Sequence, residues 1–125
     1  MSLAEQQEAL VAALVAGGAV PEGFNPHLVL AASTALLRKR SGEVAAAWPL
    51  MAAAYGPAWT STFSDWARGR PPNGSLRDGW DFARQAGSGL PPLAQRELAE
   101  REARMRYDGT SAPRPRRLAR LFPRR

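Results

Sequence analysis

The chain has no cysteine and, among 125 residues, a single histidine and a single lysine. Each scarcity removes a class of chemistry. Without cysteine there is no disulfide, no thiolate metal site and no sulfur nucleophile. With His27 alone, a zinc site or a histidine-based triad would have to take nearly all its groups from other residue types. No apolar run approaches the ~20 residues that a membrane helix needs. The opening stretch carries Glu5 and Glu8 where a secretory leader would be basic, so a cytoplasmic protein is expected. A glycine-rich phosphate loop, a serine-centred elbow and a metal-ligand spacing are all missing from the sequence. The chain therefore reads as a non-enzyme that needs no cofactor.

What is present is a partition of charge. The formal net charge is +6, from 17 basic and 11 acidic residues. Residues 1–112 contain 11 basic and all 11 acidic residues and are neutral, so the whole +6 belongs to Arg114, Arg116, Arg117, Arg120, Arg124 and Arg125. The sequence describes a neutral body with a basic end.

The body reads as helices. Ser2 and Glu5 form a capping box before a helix that carries Leu3, Leu10, Val11, Leu14 and Val15, and Gly17-Gly18 ends it. Asn25-Pro26 is an N-cap followed by a first-turn proline, opening a second helix with Leu28, Leu30, Leu36 and Leu37. Arg38 to Gly42 is either a break or a polar turn of a longer helix, with Ser41 as the cap of the next helix if it is a break. Pro49 predicts a kink or a fresh start, because an interior proline costs about 3 kcal/mol. Gly56-Pro57 is a stop and restart, after which Trp59, Phe63 and Trp66 share one face of a fourth helix. A proline-rich loop over 69–75 precedes a short helix capped by Ser75, and Pro91-Pro92 opens a last helix running to about 106. The expected fold is all-α, a compact bundle of five to six helices over 1–106, with an extended Arg/Pro-rich arm over 107–125.

Few residues stand out as chemistry. Asp78 and Asp81 lie three apart on one helix and could both face a cleft, but a helix's first turn ordinarily carries carboxylates that complement its dipole. Trp80 and Phe82 are two apart and cannot share a helix face, so one is expected to be partly exposed as an interface anchor or to pack on another segment. The basic arm cannot bury a core of its own. It fits three uses: docking on an acidic protein surface, contacting nucleic acid phosphates, or remaining solvated. Leu118, Leu121 and Phe122, at i, i+3, i+4 spacing, favour docking as a small amphipathic anchor.

The order Glu43 to Ala47, Trp48-Pro49-Leu50, Tyr55-Gly56, Trp59 and Phe63, Phe82-Ala83, then Leu90-Pro91-Pro92-Leu93-Ala94 is similar to that of a helical bacterial family named for DNA binding. Tyr107-Asp108-Gly109 running into Pro113 to Leu118 resembles its short actinobacterial branch, and the resemblance covers about residues 28–118. Members of that family are small partners of TIM-barrel multinuclear-iron enzymes that modify ribosomally made peptides. The resemblance implies an accessory subunit in a heterodimer with such an enzyme, with the precursor peptide as a further ligand. Longer relatives carry a second, strand-containing domain after the helices, so enzyme docking is the safer half of the implication. The expected contact set is Trp80, Phe82, Tyr107, Asp108, Arg114, Arg116, Arg117, Leu118, Leu121 and Phe122. The alternative is a nucleic-acid-binding module that uses the basic tail, against which the neutral body counts.

Overall fold

The computed structural model describes residues 2–16 and 23–117. Two of the side chains expected as caps open helices. Ser2 Oγ accepts from the Glu5 amide at 3.1 Å and the Glu5 carboxylate reaches back to the Ser2 amide at 3.4 Å, opening α1 (Leu3–Ala16). Asn25 Oδ1 accepts from the amides of His27 and Leu28 and opens α2 (Pro26–Ala47). The basic stretch at 38–42 is a turn inside α2, which runs unbroken for 22 residues. Ser41 caps nothing; its hydroxyl donates to the Arg38 carbonyl at 2.7 Å.

Pro49 does not kink a helix but begins one. Trp48 leaves helical geometry at φ −129° and ψ 66°, and α3 (Pro49–Tyr55) starts anew. Trp48 has no capping side chain, and the vacancy is filled from across the fold. Glu97 accepts from the amides of Leu50 at 3.1 Å and Met51 at 2.7 Å. A buried carboxylate on one helix thus neutralises the orphan N–H groups of another. A 3₁₀ turn at Gly56–Ala58 leads into α4 (Trp59–Ala67), and α5 (Ser75–Ala86) follows the proline loop. Ser75 is the first residue of α5 and not its cap. Gly74, at φ 91°, occupies the cap position without a side-chain bond. The last helix, α6 (Pro92–Arg104), passes directly into β1 (Met105–Arg106), which pairs antiparallel with β2 (Arg114–Pro115). The fold is all-α, apart from this two-residue ladder.

The core is aromatic. Val44, Trp48, Met51, Phe63 and Trp80 are inaccessible to solvent, with Trp59, Phe82 and Tyr107 close behind. Trp48 meets Trp80 edge-on at 5.6 Å, and Phe82 is met edge-on by Tyr55, Trp59 and Trp66 at 5.4–5.8 Å. Such edge-to-face pairs contribute about 0.5–1.5 kcal/mol each beyond area burial. The long α2 is the spine: α1, α3, α4 and α5 all pack on it, and α6 closes the far side against α3. Trp80 and Phe82 resolve their two-residue spacing by packing to opposite sides, Trp80 toward Trp48 and Tyr107, Phe82 toward α4 and Tyr55. Neither is exposed. Of the two outcomes expected for this pair, packing on other segments is the one met, and as buried side chains neither Trp80 nor Phe82 is a surface anchor for a partner.

Candidate interaction surface

As far as Arg117, the basic end is built onto the body rather than hung from it. Met105 turns extended at φ −132°, so the chain leaves α6 as a strand and carries Tyr107 back onto the core. The Tyr107 ring lies 5.0 Å from that of Trp80, and its hydroxyl donates to Asp81 Oδ1 at 2.8 Å. Burial first, and then this bond to a carboxylate, push the Tyr107 phenol up to about 12. Arg84 lies over both rings and forks onto the two oxygens of Glu102 at 2.8 and 3.0 Å. The Arg84 guanidinium holds the Glu102 carboxyl below its ordinary value.

Beyond Tyr107 the chain turns. Asp108 Oδ1 accepts from the amides of Thr110 and Ser111 at 2.8 and 2.7 Å, and Gly109 takes φ 89°. Those two backbone bonds hold the Asp108 carboxyl below its ordinary value. The return strand places Arg114 opposite Arg106 and Pro115 opposite Met105. Arg116 closes the loop: its amide donates to the Arg104 carbonyl at 2.9 Å and its Nε to the Glu102 carbonyl at 2.7 Å. The arm expected from 107 onward is therefore a docked hairpin as far as 117. Between its strands and turn lies a cavity of about 320 Å³, lined by Arg106, Asp108, Ser111, Ala112 and Arg114 to Arg117.

The fold thus brings together Tyr107, Asp108, Arg114, Arg116 and Arg117 of the expected contact set. Tyr107 and Asp108 serve as structural groups there, one as an anchor and the other as the turn-former. Leu118, Leu121 and Phe122 lie outside the described residues. Arg106 was missed by the sequence reading because it was counted into the neutral body. Its signal was its place two residues after the last helical turn, where the chain must turn back to bury Tyr107.

A second set of surface residues was also missed. Leu3, Val11, Leu28, Leu30 and Leu36 are exposed on α1 and the first half of α2. The legible signal was that residues 28–37 are apolar or small around the whole helix, a composition that suits burial on every side. His27 is exposed in the first turn of α2.

The two aspartates weighed as a cleft pair are engaged. Asp78 is 3% exposed and accepts from Arg40 Nε at 3.0 Å and from the Asn73 amide at 3.0 Å. Arg40 also donates to the carbonyls of Arg70 and Pro71, so this buried pair ties the proline loop to α2 and α5. Asp81 holds Tyr107. A groove of about 410 Å³ runs between that loop and α5, and there Gln85 Oε1 accepts from Trp66 and Arg70 while Arg40 is engaged with Asp78 and the loop carbonyls. Among the described residues, no group of three or more metal-ligating side chains comes together.

The family model that matches the chain is that of the SCO6045-like, C-terminal domain, over residues 4–88. The match spans α1 to α5, and α6 with its hairpin lies beyond it. No curated protein and no solved structure matches the chain.

Proposed function

The chain belongs to the SCO6045-like C-terminal domain family, and we propose that it serves as a non-catalytic partner subunit, docking through its basic end on a TIM-barrel multinuclear-iron enzyme that modifies a ribosomally made peptide. The observation that carries this reading is the placement of charge. Of the six arginines that carry the excess charge, Arg114, Arg116 and Arg117 lie on one anchored hairpin together with Arg106, and Arg106, Arg114 and Arg117 are exposed there. An arginine fork held by backbone geometry can meet a carboxylate bidentately with little loss of entropy. The enzyme's identity and the peptide rest on the family resemblance of the helical sequence. Four of the five carboxylates of α5 and α6 support a non-catalytic role, because Asp78, Asp81, Glu97 and Glu102 are each committed to a structural bond.

The test is co-expression with a neighbouring barrel enzyme, followed by pull-down. Deletion from residue 107 would remove Tyr107 from the core and confuse unfolding with loss of docking. The informative variants are the chain ending at Arg117 and the full chain with Arg106 and Arg114 changed to glutamine. Reduced enzyme recovery with either, at unchanged melting temperature, is the expected result. Equal recovery with both would defeat docking through this end. Binding to duplex DNA in place of the enzyme, with a steep fall in salt, would point to the nucleic-acid reading.

A further inference from the structure

The hairpin cavity is lined by four guanidinium-bearing residues and one carboxylate. Asp108 pairs directly with none of them, its Oδ1 accepting from two backbone amides of its own turn, and its single charge offsets at most one of the four. Among the described residues, none of Arg106, Arg114, Arg116 and Arg117 has a carboxylate within ion-pair distance; the ion pairs are those of Arg40, Arg68, Arg84 and Arg96. The following segment cannot supply one from a side chain, because residues 118–125 contain three arginines and no acid. The register makes the crowding worse: Arg106 and Arg114 stand directly opposite each other in a ladder only two residues long. Like charges in that position destabilise a strand pair. The turn, Tyr107 and Arg116 hold the ladder closed against that repulsion. A fold that holds unneutralised cations around a cavity is arranged for an anion.

The shape and lining narrow the anion. The cavity is about 320 Å³, and among the described residues that line it none is aromatic, so they offer a base nothing to stack on. The net neutrality of residues 1–112 counts against a nucleic acid, whose backbone needs a basic surface extending beyond the hairpin. Planar guanidinium forks suit carboxylates, and more than one carboxylate is needed to balance three or four of them. We propose that the hairpin cavity is a carboxylate-binding site that receives a short acidic segment of a protein partner, with Arg106, Arg114 and Arg117 as the pairing groups and Arg116 fixing the wall. This deepens the docking reading and rests on it for the partner's being a protein, while the cavity itself can be tested without the enzyme.

The experiment uses the full chain and a fluorescein-labelled peptide of alternating glutamate and aspartate, titrated at low salt by anisotropy. A thymidine oligonucleotide of equal charge and inorganic phosphate serve as competing probes. Changing Arg106 and Arg114 together to glutamine is expected to weaken peptide binding about tenfold or more. It should leave the melting temperature unchanged or raised, since it removes the opposed charges. The control, Arg38→Gln with Lys39→Gln on α2, removes the same charge elsewhere and is expected to change binding less than about twofold. Equal loss in both variants would reduce the effect to net charge and overturn the site. Tighter binding of the oligonucleotide, or displacement of the peptide by phosphate at equal concentration, would overturn the carboxylate assignment. Failure of the native chain to capture the enzyme, with the peptide result intact, would remove the enzyme as partner and leave the site standing.

Discussion

At the residue scale, two glycines inside helices face opposite consequences. Gly42 lies mid-α2, and a methyl group there would meet nothing within 4 Å. Gly79 lies in α5 against the Trp48 indole, and a Cβ would collide with ring atoms Cδ1, Nε1 and Cγ. Helix propensity favours alanine at both by up to about 1 kcal/mol. At Gly79 the collision wins, because the indole cannot retreat. It is fully buried, its Nε1 donates to the Leu76 carbonyl at 3.0 Å, and Arg101 lies over it at 4.3 Å. Overpacking of this kind costs about 1–3 kcal/mol. We therefore expect Gly42→Ala to stabilise the protein by about 0.5–1 kcal/mol and Gly79→Ala to destabilise it by about 2 kcal/mol, both read from urea unfolding. A Gly79→Ala protein as stable as the native one would mean that Trp48 has room to move. The sequence carried no hint of this contrast. Both glycines sit within helical patterns, and only the distance to Trp48 separates them.

At the scale of elements, what could be read from the chain depended on whether the determinants were local. The starts of α1 and α2 were legible in Ser2, Glu5 and Asn25, because a cap bonds within three residues of itself. The cap of α3 was not legible, because Glu97 is 46 residues from the Met51 amide that it accepts from. Ser41 and Ser75, which looked like caps, lost that role to an unbroken α2 and to Gly74. The hairpin escaped for a related reason. Turn residues and arginines read as a tail until Tyr107 is known to enter the core, and its partners Trp80 and Asp81 lie on α5. That docking sets a pH dependence. The folded Tyr107 phenol titrates at about 12, against an ordinary value of 10.0. A group with a raised folded pKa contributes its full stability below pH 10 and loses it as pH rises toward 12, because the unfolded chain ionises first. The loss approaches about 2 kcal/mol across that window. Stability measured by denaturant at pH 9 and pH 11 should fall for the native chain and fall less for Tyr107→Phe. Equal falls in the two proteins would show that the hairpin's anchor does not titrate as its burial requires.

At the scale of the whole molecule, the aromatic core and the N-terminal helix are held very differently. The continuous buried cluster begins at Leu37 and ends at Tyr107, so it draws on the second half of α2 and everything after it as far as the hairpin. Helix α1 stands outside that cluster. Ala13 is its only buried residue among those with described side chains, while Leu3 and Val11 are largely exposed. One alanine and two half-buried leucines contribute only a few kcal/mol by burial, and a helix of this length is marginal on its own. The capping box adds about 1 kcal/mol and does not change the balance. Opening of α1 should therefore cost far less than global unfolding, and hydrogen exchange can read the difference directly. Amides of residues 7–14 should exchange at least about 100-fold faster than those of Trp80 and Phe82 under native conditions, with a rate insensitive to low denaturant. Protection of α1 equal to that of α5 would mean that the exposed leucines of α1 and α2 are covered in solution. A partner or second copy on that face would then have to be part of the stable unit.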